Sequence, residues 1–120
     1  METPKLYETE YRFCCLVWEH EPVNSGELVK LAARELGWKK STTYTIIKRL
    51  CERGVLKSEG AVVTSLCSRP EVQREESREF VDKTFGGSLP AFLAAFAGGG
   101  ALSEQDVAQI RQMIDRYGVK

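Results

Sequence analysis

The sequence has little histidine, no excess of charge of either sign and no long hydrophobic run. Histidine occurs once, and seventeen lysine and arginine residues balance seventeen acidic ones, so the net charge is zero. This balance excludes a uniformly basic nucleic-acid coat but is compatible with a local basic patch. The longest mostly apolar run, residues 89–97, is too short to span a bilayer. No basic segment followed by an apolar one opens the chain, so we expect a cytoplasmic protein without a membrane span.

The sequence also lacks the cysteine spacing that metal sites and redox motifs use. Its four cysteines form no C-x-x-C pair, and they are Cys14, Cys15, Cys51 and Cys67. In a reducing compartment we expect free thiols, and the first three lie in helical apolar patterns, as small buried side chains do. The sequence therefore predicts no metal site and no cofactor.

Groups that carry catalysis are equally scarce. The single imidazole, His20, lies between Glu19 and Glu21, a combination that acid–base catalysis can use. The same residues are typical of a solvated helix end, where histidine interacts favourably with the C-terminal dipole. The glycine run at 98–100 lacks the lysine and hydroxyl residues of a phosphate-binding loop. We therefore predict that the protein is not an enzyme.

Apolar residues recur at helical spacing through the first half of the chain. The face predicted for a first helix, residues 8–20, consists of Tyr11, Cys14, Cys15 and Trp18. A second helix is predicted after Asn24, which forms a capping box with Glu27, and Gly37 marks its end. A third helix is predicted over residues 40–53, with the inner face Thr43, Ile46, Ile47, Leu50 and Cys51.

Two short β-branched runs follow the third predicted helix. Residues 55–57 and 62–66 flank a Ser-Glu-Gly-Ala turn, which predicts a small hairpin. Three close helices followed by a hairpin are typical of a winged helix-turn-helix, whose third helix enters the major groove of DNA. The sequence therefore predicts a mainly α fold with a small β hairpin, in which residues 1–67 form a winged-helix DNA-binding domain.

The positive charge of this neutral chain is concentrated on the third predicted helix and its flanks. Residues 38–57 contain six basic residues and a single acid, Glu52. Lysine and arginine alone would also fit a solvated helix face. Serine and threonine on the same face favour nucleic acid, because their hydroxyls contact both phosphates and base edges.

The second half of the chain consists of predicted helices separated by glycines. They begin near the capping boxes of Ser68 and Ser103 and, for the short apolar helix, at Ser88. Helices interrupted in this way bury little apolar surface within one chain, which favours a homodimer formed by residues 68–120. The alternative is that these helices fold back on the first domain. The side chains predicted to form the dimer interface are Phe85, Leu89, Phe92, Leu93, Phe96, Ile110, Met113 and Ile114.

The order and spacing of several motifs resemble a known family. The matching pieces are Val17-Trp18, Gly37-Trp38, residues 42–54, residues 85–89 and Leu102-Ser103. Together they resemble the penicillinase repressors and methicillin-resistance repressors, a family that also includes copper-transport repressors. The resemblance covers nearly the whole chain. It implies a homodimeric winged-helix repressor that binds a palindromic operator in double-stranded DNA and is released when its dimerisation half is disrupted.

The resemblance and the charge pattern together select the DNA-binding candidates. By position, the resemblance places at the DNA Ser41, Thr42, Tyr44, Thr45 and Arg49. The charge pattern adds Lys39, Lys40 and Lys48.

The chain departs from the family pattern at the wing and at two candidate DNA-binding positions. The wing lacks the basic tip residue and the aromatic second strand of the family, which argues against wing contact with DNA. It also leaves open an alternative function, a winged-helix protein–protein interaction module that does not bind DNA. Ser41 and Tyr44 stand where the best-known members carry long amide or basic side chains, so a different operator sequence is compatible with them.

The inducing signal also stays open. Antibiotic-responsive members are inactivated by cleavage of an Asn-Phe bond, whose counterpart here is Ala95-Phe96. A regulatory protease as partner and cleavage at this bond are therefore open hypotheses. The C-terminal cysteine cluster of copper-responsive members has no counterpart in the sequence.

Overall fold

A computed structural model describes residues 5–100 and 102–117 of the chain. These residues form six helices and a small three-stranded antiparallel sheet. The elements are α1 (Glu8–His20), β1 (Val23–Asn24), α2 (Ser25–Leu36), α3 (Lys40–Glu52), β2 (Leu56–Glu59), β3 (Val62–Ser65), α4 (Arg69–Phe85), α5 (Leu89–Ala97) and α6 (Glu104–Tyr117). The predicted mainly α winged-helix fold is confirmed. No helix within the described ranges is both long and apolar enough to cross a membrane.

The chain divides between Ser77 and Arg78, inside α4, into two compact units. The first turns of α4 belong to the first unit, because Val72 is buried in its core and the Arg69 guanidinium lies 5.5 Å from the centre of the Trp18 ring. The division by function, into a DNA-binding domain of residues 1–67 and a dimerisation domain of residues 68–120, stays a prediction.

The hydrophobic core lies in the first unit, where α1, α2 and α3 pack together with the sheet. Its largest fully buried side chains include Phe13, Leu28, Leu50 and Leu56. Trp38, in the turn between α2 and α3, stacks on Phe13 with ring centroids 5.4 Å apart and an interplanar angle of 14°. This contact fixes the turn that precedes α3.

The predicted inner face of α1 is wrong in part. Phe13 and Val17 are fully buried, whereas Tyr11, Cys15 and Trp18 are only half-buried. The two aromatic residues lie at the rim because each has a polar atom to satisfy. Trp18 Nε1 donates to the carbonyl of Cys67 at 2.8 Å, and the Tyr11 hydroxyl accepts from Gln73 at 3.2 Å.

Local side-chain caps set the helix ends as the sequence predicts. The Asn24 side chain accepts a hydrogen bond from the Gly26 amide at 2.8 Å, and Gly37 ends α2 with a φ of 70°. Ser68 and Ser103 each form a reciprocal box with an acid three residues later. These caps stabilise α2, α4 and α6 at the boundaries where they were expected.

The hairpin differs from its prediction in the length of its turn. Glu59 pairs with Val62, so the turn contains only Gly60 and Ala61 rather than four residues. Both turn residues have a positive φ, 56° and 65°, which matches the twist of the flanking strands. The two strands therefore extend closer to the tip of the hairpin than the β-branched pattern indicated.

β1 was not predicted as part of the sheet. Val23 of β1 pairs with Val63, which places β3 in the centre of the order β1-β3-β2. The Ser25 amide, at the start of α2, donates to the carbonyl of Ala61 at 2.8 Å. The tip of the wing is thus attached to the start of α2.

Candidate nucleic-acid interface

α3 separates its buried side chains from its exposed ones. Thr43, Ile46, Ile47 and Leu50 face the core, and Cys51 is half-buried beside them. All eight residues predicted to bind DNA are exposed, on α3 or immediately before it: Lys39, Lys40, Ser41, Thr42, Tyr44, Thr45, Lys48 and Arg49. The structure therefore brings the whole predicted set to one helix.

The first turn of α3 is suited to an anion. Lys39 precedes the helix and makes no side-chain cap, and the first turn contains no acidic residue. The free backbone amides of a helix N-terminus carry partial positive charge, which a phosphate can share with Lys39 and Lys40. Farther along, the Thr45 hydroxyl donates to the Ser41 carbonyl at 2.9 Å, so its oxygen stays available as an acceptor.

A buried acid on α1 lies beneath the last turns of α3, and the sequence reasoning missed it. Glu10 is fully buried, and its carboxylate accepts from Arg49 Nε at 3.1 Å and from Arg53 Nη1 at 2.9 and 3.0 Å. It also accepts from the Tyr7 amide at 2.9 Å. A signal was present, because Glu10 is three and seven residues before Phe13 and Val17 and thus lies on the buried face of α1.

The surroundings of Glu10 keep it ionised. Burial by itself would raise the pKa of this carboxyl, but the Tyr7 amide and the guanidinium groups of Arg53 and Arg49 outweigh burial and hold its pKa below the ordinary value. Two arginines and one carboxylate leave the cluster with a net positive charge. The Arg49 side chain is 50% exposed, so part of that charge reaches the surface.

The wing carries balanced charge. Lys57 and Glu59 form an ion pair at 3.1 Å on its exposed side. The second strand presents Val62 rather than an aromatic residue. The expectation that the wing does not contact DNA stays a prediction.

The three residues weighed as an acid–base group each make a structural contact. His20 Nδ1 lies 2.8 Å from the Leu16 carbonyl, and Glu19 pairs with Arg69 at 3.5 Å. Glu21 accepts from the Ser65 amide at 2.7 Å and from the Ser65 hydroxyl, which holds the end of β3 against α1. Their positions follow from packing of the first unit.

The four cysteines are free thiols in the structure. Burial, with smaller contributions from Cys15 and Glu10, raises the pKa of Cys14 to about 12, so its thiol stays protonated and unreactive. Burial also raises the pKa of Cys51 and Cys67. Over residues 5–100 and 102–117, no three histidine, cysteine or acidic side chains group together as a metal site would require.

The second unit has apolar side chains but no buried ones among its described residues. Ring contacts, with centroids 5.5 to 6.1 Å apart, connect four phenylalanines: Phe80, Phe85, Phe92 and Phe96. Four of the predicted interface residues are exposed, namely Leu89, Phe96, Met113 and Ile114, and four are half-buried, namely Phe85, Phe92, Leu93 and Ile110. Within one chain, none of these eight side chains is buried.

In a comparison with known proteins, the profile of the penicillinase repressor family matches residues 7–116, which cover most of both compact units. The chain belongs to the penicillinase repressor family. It is 22% identical to the penicillinase repressor of Bacillus licheniformis over 118 residues, 95% of this chain and 92% of the relative. It is 18% identical to the methicillin resistance regulatory protein MecI of Staphylococcus aureus over 119 residues, 96% of this chain and 97% of the relative.

The family consists of DNA-binding transcriptional repressors rather than enzymes, and these relatives are bacterial. The resemblance seen in the sequence is therefore confirmed. The Ala95-Phe96 bond, at which cleavage stays a hypothesis, lies inside α5, and both of its residues are exposed.

Proposed function

We propose that the protein is a homodimeric transcriptional repressor that reads a palindromic operator with α3. The observation that carries this proposal is the division of α3 into a core face and an exposed face of basic and hydroxyl residues, with one acid, Glu52, in its last turn. Membership of a repressor family supports the same role. The eight exposed residues of this face are the proposed DNA-binding residues.

The roles of these residues differ along the helix. Lys39, Lys40 and the first-turn amides are suited to phosphates, which position the protein without reading sequence. Tyr44 and Arg49 lie farther along the exposed face, and an arginine that contacts both acceptors of a guanine is the commonest specific contact. We therefore assign affinity to the start of α3 and base discrimination mainly to Tyr44 and Arg49.

The second unit supports the dimeric part of the proposal. Exposed aromatic and aliphatic side chains on a short chain favour a large apolar interface of the obligate kind. Two reading heads held together bind two half-sites with a high effective concentration. Release follows from the same arrangement, because cutting or loosening α5 would weaken the dimer and lower operator affinity.

Selection from a pool of random DNA duplexes tests the function directly. We expect the full chain to recover a palindromic duplex and to bind it as a dimer in sedimentation. Affinity should fall by several decades over a modest rise in salt if about 6–10 phosphates are contacted. A pool that shows no enrichment, or binding with a flat salt response, would contradict the proposal.

Arg49→Ala tests the proposed reading residue. If Arg49 contacts a guanine, the substitution should cost about 1–3 kcal/mol and relax preference at one position of the recovered duplex. A uniform loss across sequences would make Arg49 a phosphate contact instead. Arg12→Ala is the matched control, because Arg12 is an exposed arginine of α1.

The neutral wing supports one alternative, a protein–protein interaction module with the same fold. Because Lys57 is paired with Glu59, the wing presents a positive and a negative charge side by side, which suit a protein surface as well as a phosphate. The selection experiment separates the two functions, since an interaction module would recover no duplex.

A further inference from the structure

The buried carboxylate of Glu10 connects the first turn of α1 to the C-terminal end of α3. Arg49, in the last turn of α3, and Arg53, which caps its C-terminus, are four residues apart, and both reach Glu10. Arg53 also donates to the carbonyl of Lys5. Through this cluster, the segment that leads into α1 and the C-terminal part of α3 share one set of charge-assisted hydrogen bonds.

The two arginines are placed differently. Arg53 directs its Nη1 to Glu10, and its side chain is 32% exposed. Arg49 uses Nε for Glu10, and its side chain is 50% exposed. A guanidinium has two further nitrogens beyond Nε, in the same plane, and with Nε bound to Glu10 these two remain to donate a paired contact to a base or a phosphate.

Fixing Nε restricts the orientation of the rest of the group. An unrestrained arginine on a helix surface loses the freedom of several bonds when it binds, and this loss weakens association. A carboxylate behind Arg49 reduces the loss by limiting the rotamers of the free protein. A lysine at this position would lack the planar group that makes this arrangement work.

From this geometry we propose that Glu10 is a positioning residue for DNA recognition, which orients the Arg49 guanidinium for its contact with the operator. The inference rests on the proposed function and adds to it a residue of α1 that lies wholly inside the protein. Glu10 does not contact DNA. Its effect on binding passes through Arg49, whereas its contact with Arg53 serves the fold.

A double-mutant cycle on the full-length dimer tests the inference, with the duplex recovered by wild-type selection as the probe. We expect Glu10→Gln to lower affinity about tenfold and to relax base preference at the position that Arg49 reads. In an Arg49→Ala background, Glu10→Gln should change affinity by less than about twofold, because the residue through which it acts is gone. Arg53→Ala is the control, and it should lower thermal stability while base preference is kept.

The outcomes separate this inference from the function on which it rests. Failure of the wild-type chain to recover any duplex overturns both. Recovery of a duplex that Glu10→Gln binds with unchanged affinity and preference overturns the inference alone. So does an equal loss in the presence and absence of Arg49, which would make Glu10 a residue of the fold only.

A measurement on the wild-type protein keeps the test valid if Glu10→Gln does not fold. The Nε–H proton of Arg49 should exchange slowly with solvent, in NMR spectra of both the free protein and its complex with the recovered duplex. Rapid exchange in the complex would show that Arg49 leaves Glu10 on binding and would overturn the inference.

Discussion

The two compact units of this repressor differ in what they do with apolar side chains. Every buried hydrophobic residue of the described chain lies between Leu6 and Val72. From Arg78 to Tyr117 no described residue is buried, although α5 reads Leu-Pro-Ala-Phe-Leu-Ala-Ala-Phe-Ala. An apolar composition alone therefore does not form a core, because the apolar faces of the helices must also pack against one another. The first unit has a hydrophobic core of its own, whereas the described residues of the second unit form none.

Cutting the chain after Ser77 should give the largest effect. We expect the remaining piece to fold as a monomer and to bind the recovered duplex about 10²–10⁴-fold more weakly, because one reading head has lost the other. Sedimentation and binding measurements at micromolar concentration check this. A dimeric fragment, or one with full affinity, would contradict the contrast between the units.

A cut after Ser68 provides the comparison for this truncation. It also removes Val72, which is buried in the first unit. Loss of a fully buried valine costs about 1.5–3 kcal/mol, so this shorter fragment should be less stable than the longer one.

Two phenylalanine substitutions should separate folding from association. Phe13→Ala should lower the free energy of unfolding by about 3–5 kcal/mol, because Phe13 is fully buried in the first unit. Phe96→Asp should instead dissociate the dimer and leave the first unit folded, since a carboxylate buried in an apolar interface costs several kcal/mol.

Unfolding at several protein concentrations checks this pair. The loss in Phe13→Ala should persist at every concentration, whereas the defect in Phe96→Asp should appear in sedimentation as monomer. A dimeric Phe96→Asp variant would remove α5 from the proposed interface.

A fall in pH should lower the free energy of unfolding of the first unit, because Glu10 becomes protonated. Because its folded-state pKa lies below the ordinary value of 4.5, its contribution to stability is complete above that value and is lost as the pH falls through the folded-state pKa. Denaturant unfolding of the fragment that ends at Ser77 should show this loss as the pH is lowered below 4.5. In Glu10→Gln the loss should be smaller over the same range, and an identical pH profile would argue against an ionised Glu10.

The smallest predicted effect concerns the wing turn. Ala61 has a φ of 65°, a conformation that glycine adopts without the steric cost of a Cβ. Ala61→Gly should therefore raise the free energy of unfolding by about 0.5–1 kcal/mol. Ala33→Gly, on the exposed side of α2, is the matched control and should lower it by about 1 kcal/mol. Loss of stability in both variants would contradict the strained turn.

The features that the sequence predicted are those with local causes. Asn24, Gly37, Ser68 and Ser103 set helix ends through hydrogen bonds or backbone conformations within a few residues. The two faces of α3 follow from helical spacing, which is also local. For these reasons the helices and the exposure of the DNA-binding candidates could be read from the chain, while their contacts with DNA and the dimer stay predictions.

The features that the sequence did not predict depend on partners far along the chain. Glu10 is separated from Arg49 and Arg53 by 39 and 43 positions, and its ion pairs exist only when α1 and α3 pack. The pairing of Val23 with Val63 also needs the folded helices. Tyr11 and Trp18 looked like core residues, but hydrogen bonds to Gln73 and Cys67 keep them at its edge.

The central place of β3 in the sheet sets an order for folding during synthesis. β1 must wait for a strand about 40 positions later, so the sheet closes a long loop, which slows folding relative to local contacts. All of its strands, and the whole of the first unit, nevertheless precede the second unit in the chain. Because domains fold as they emerge from the ribosome, we expect each DNA-reading head to fold before its pairing helices have fully emerged. The repressor would then assemble by the meeting of two finished heads, and its dimerisation rate would depend on protein concentration rather than on the formation of the sheet.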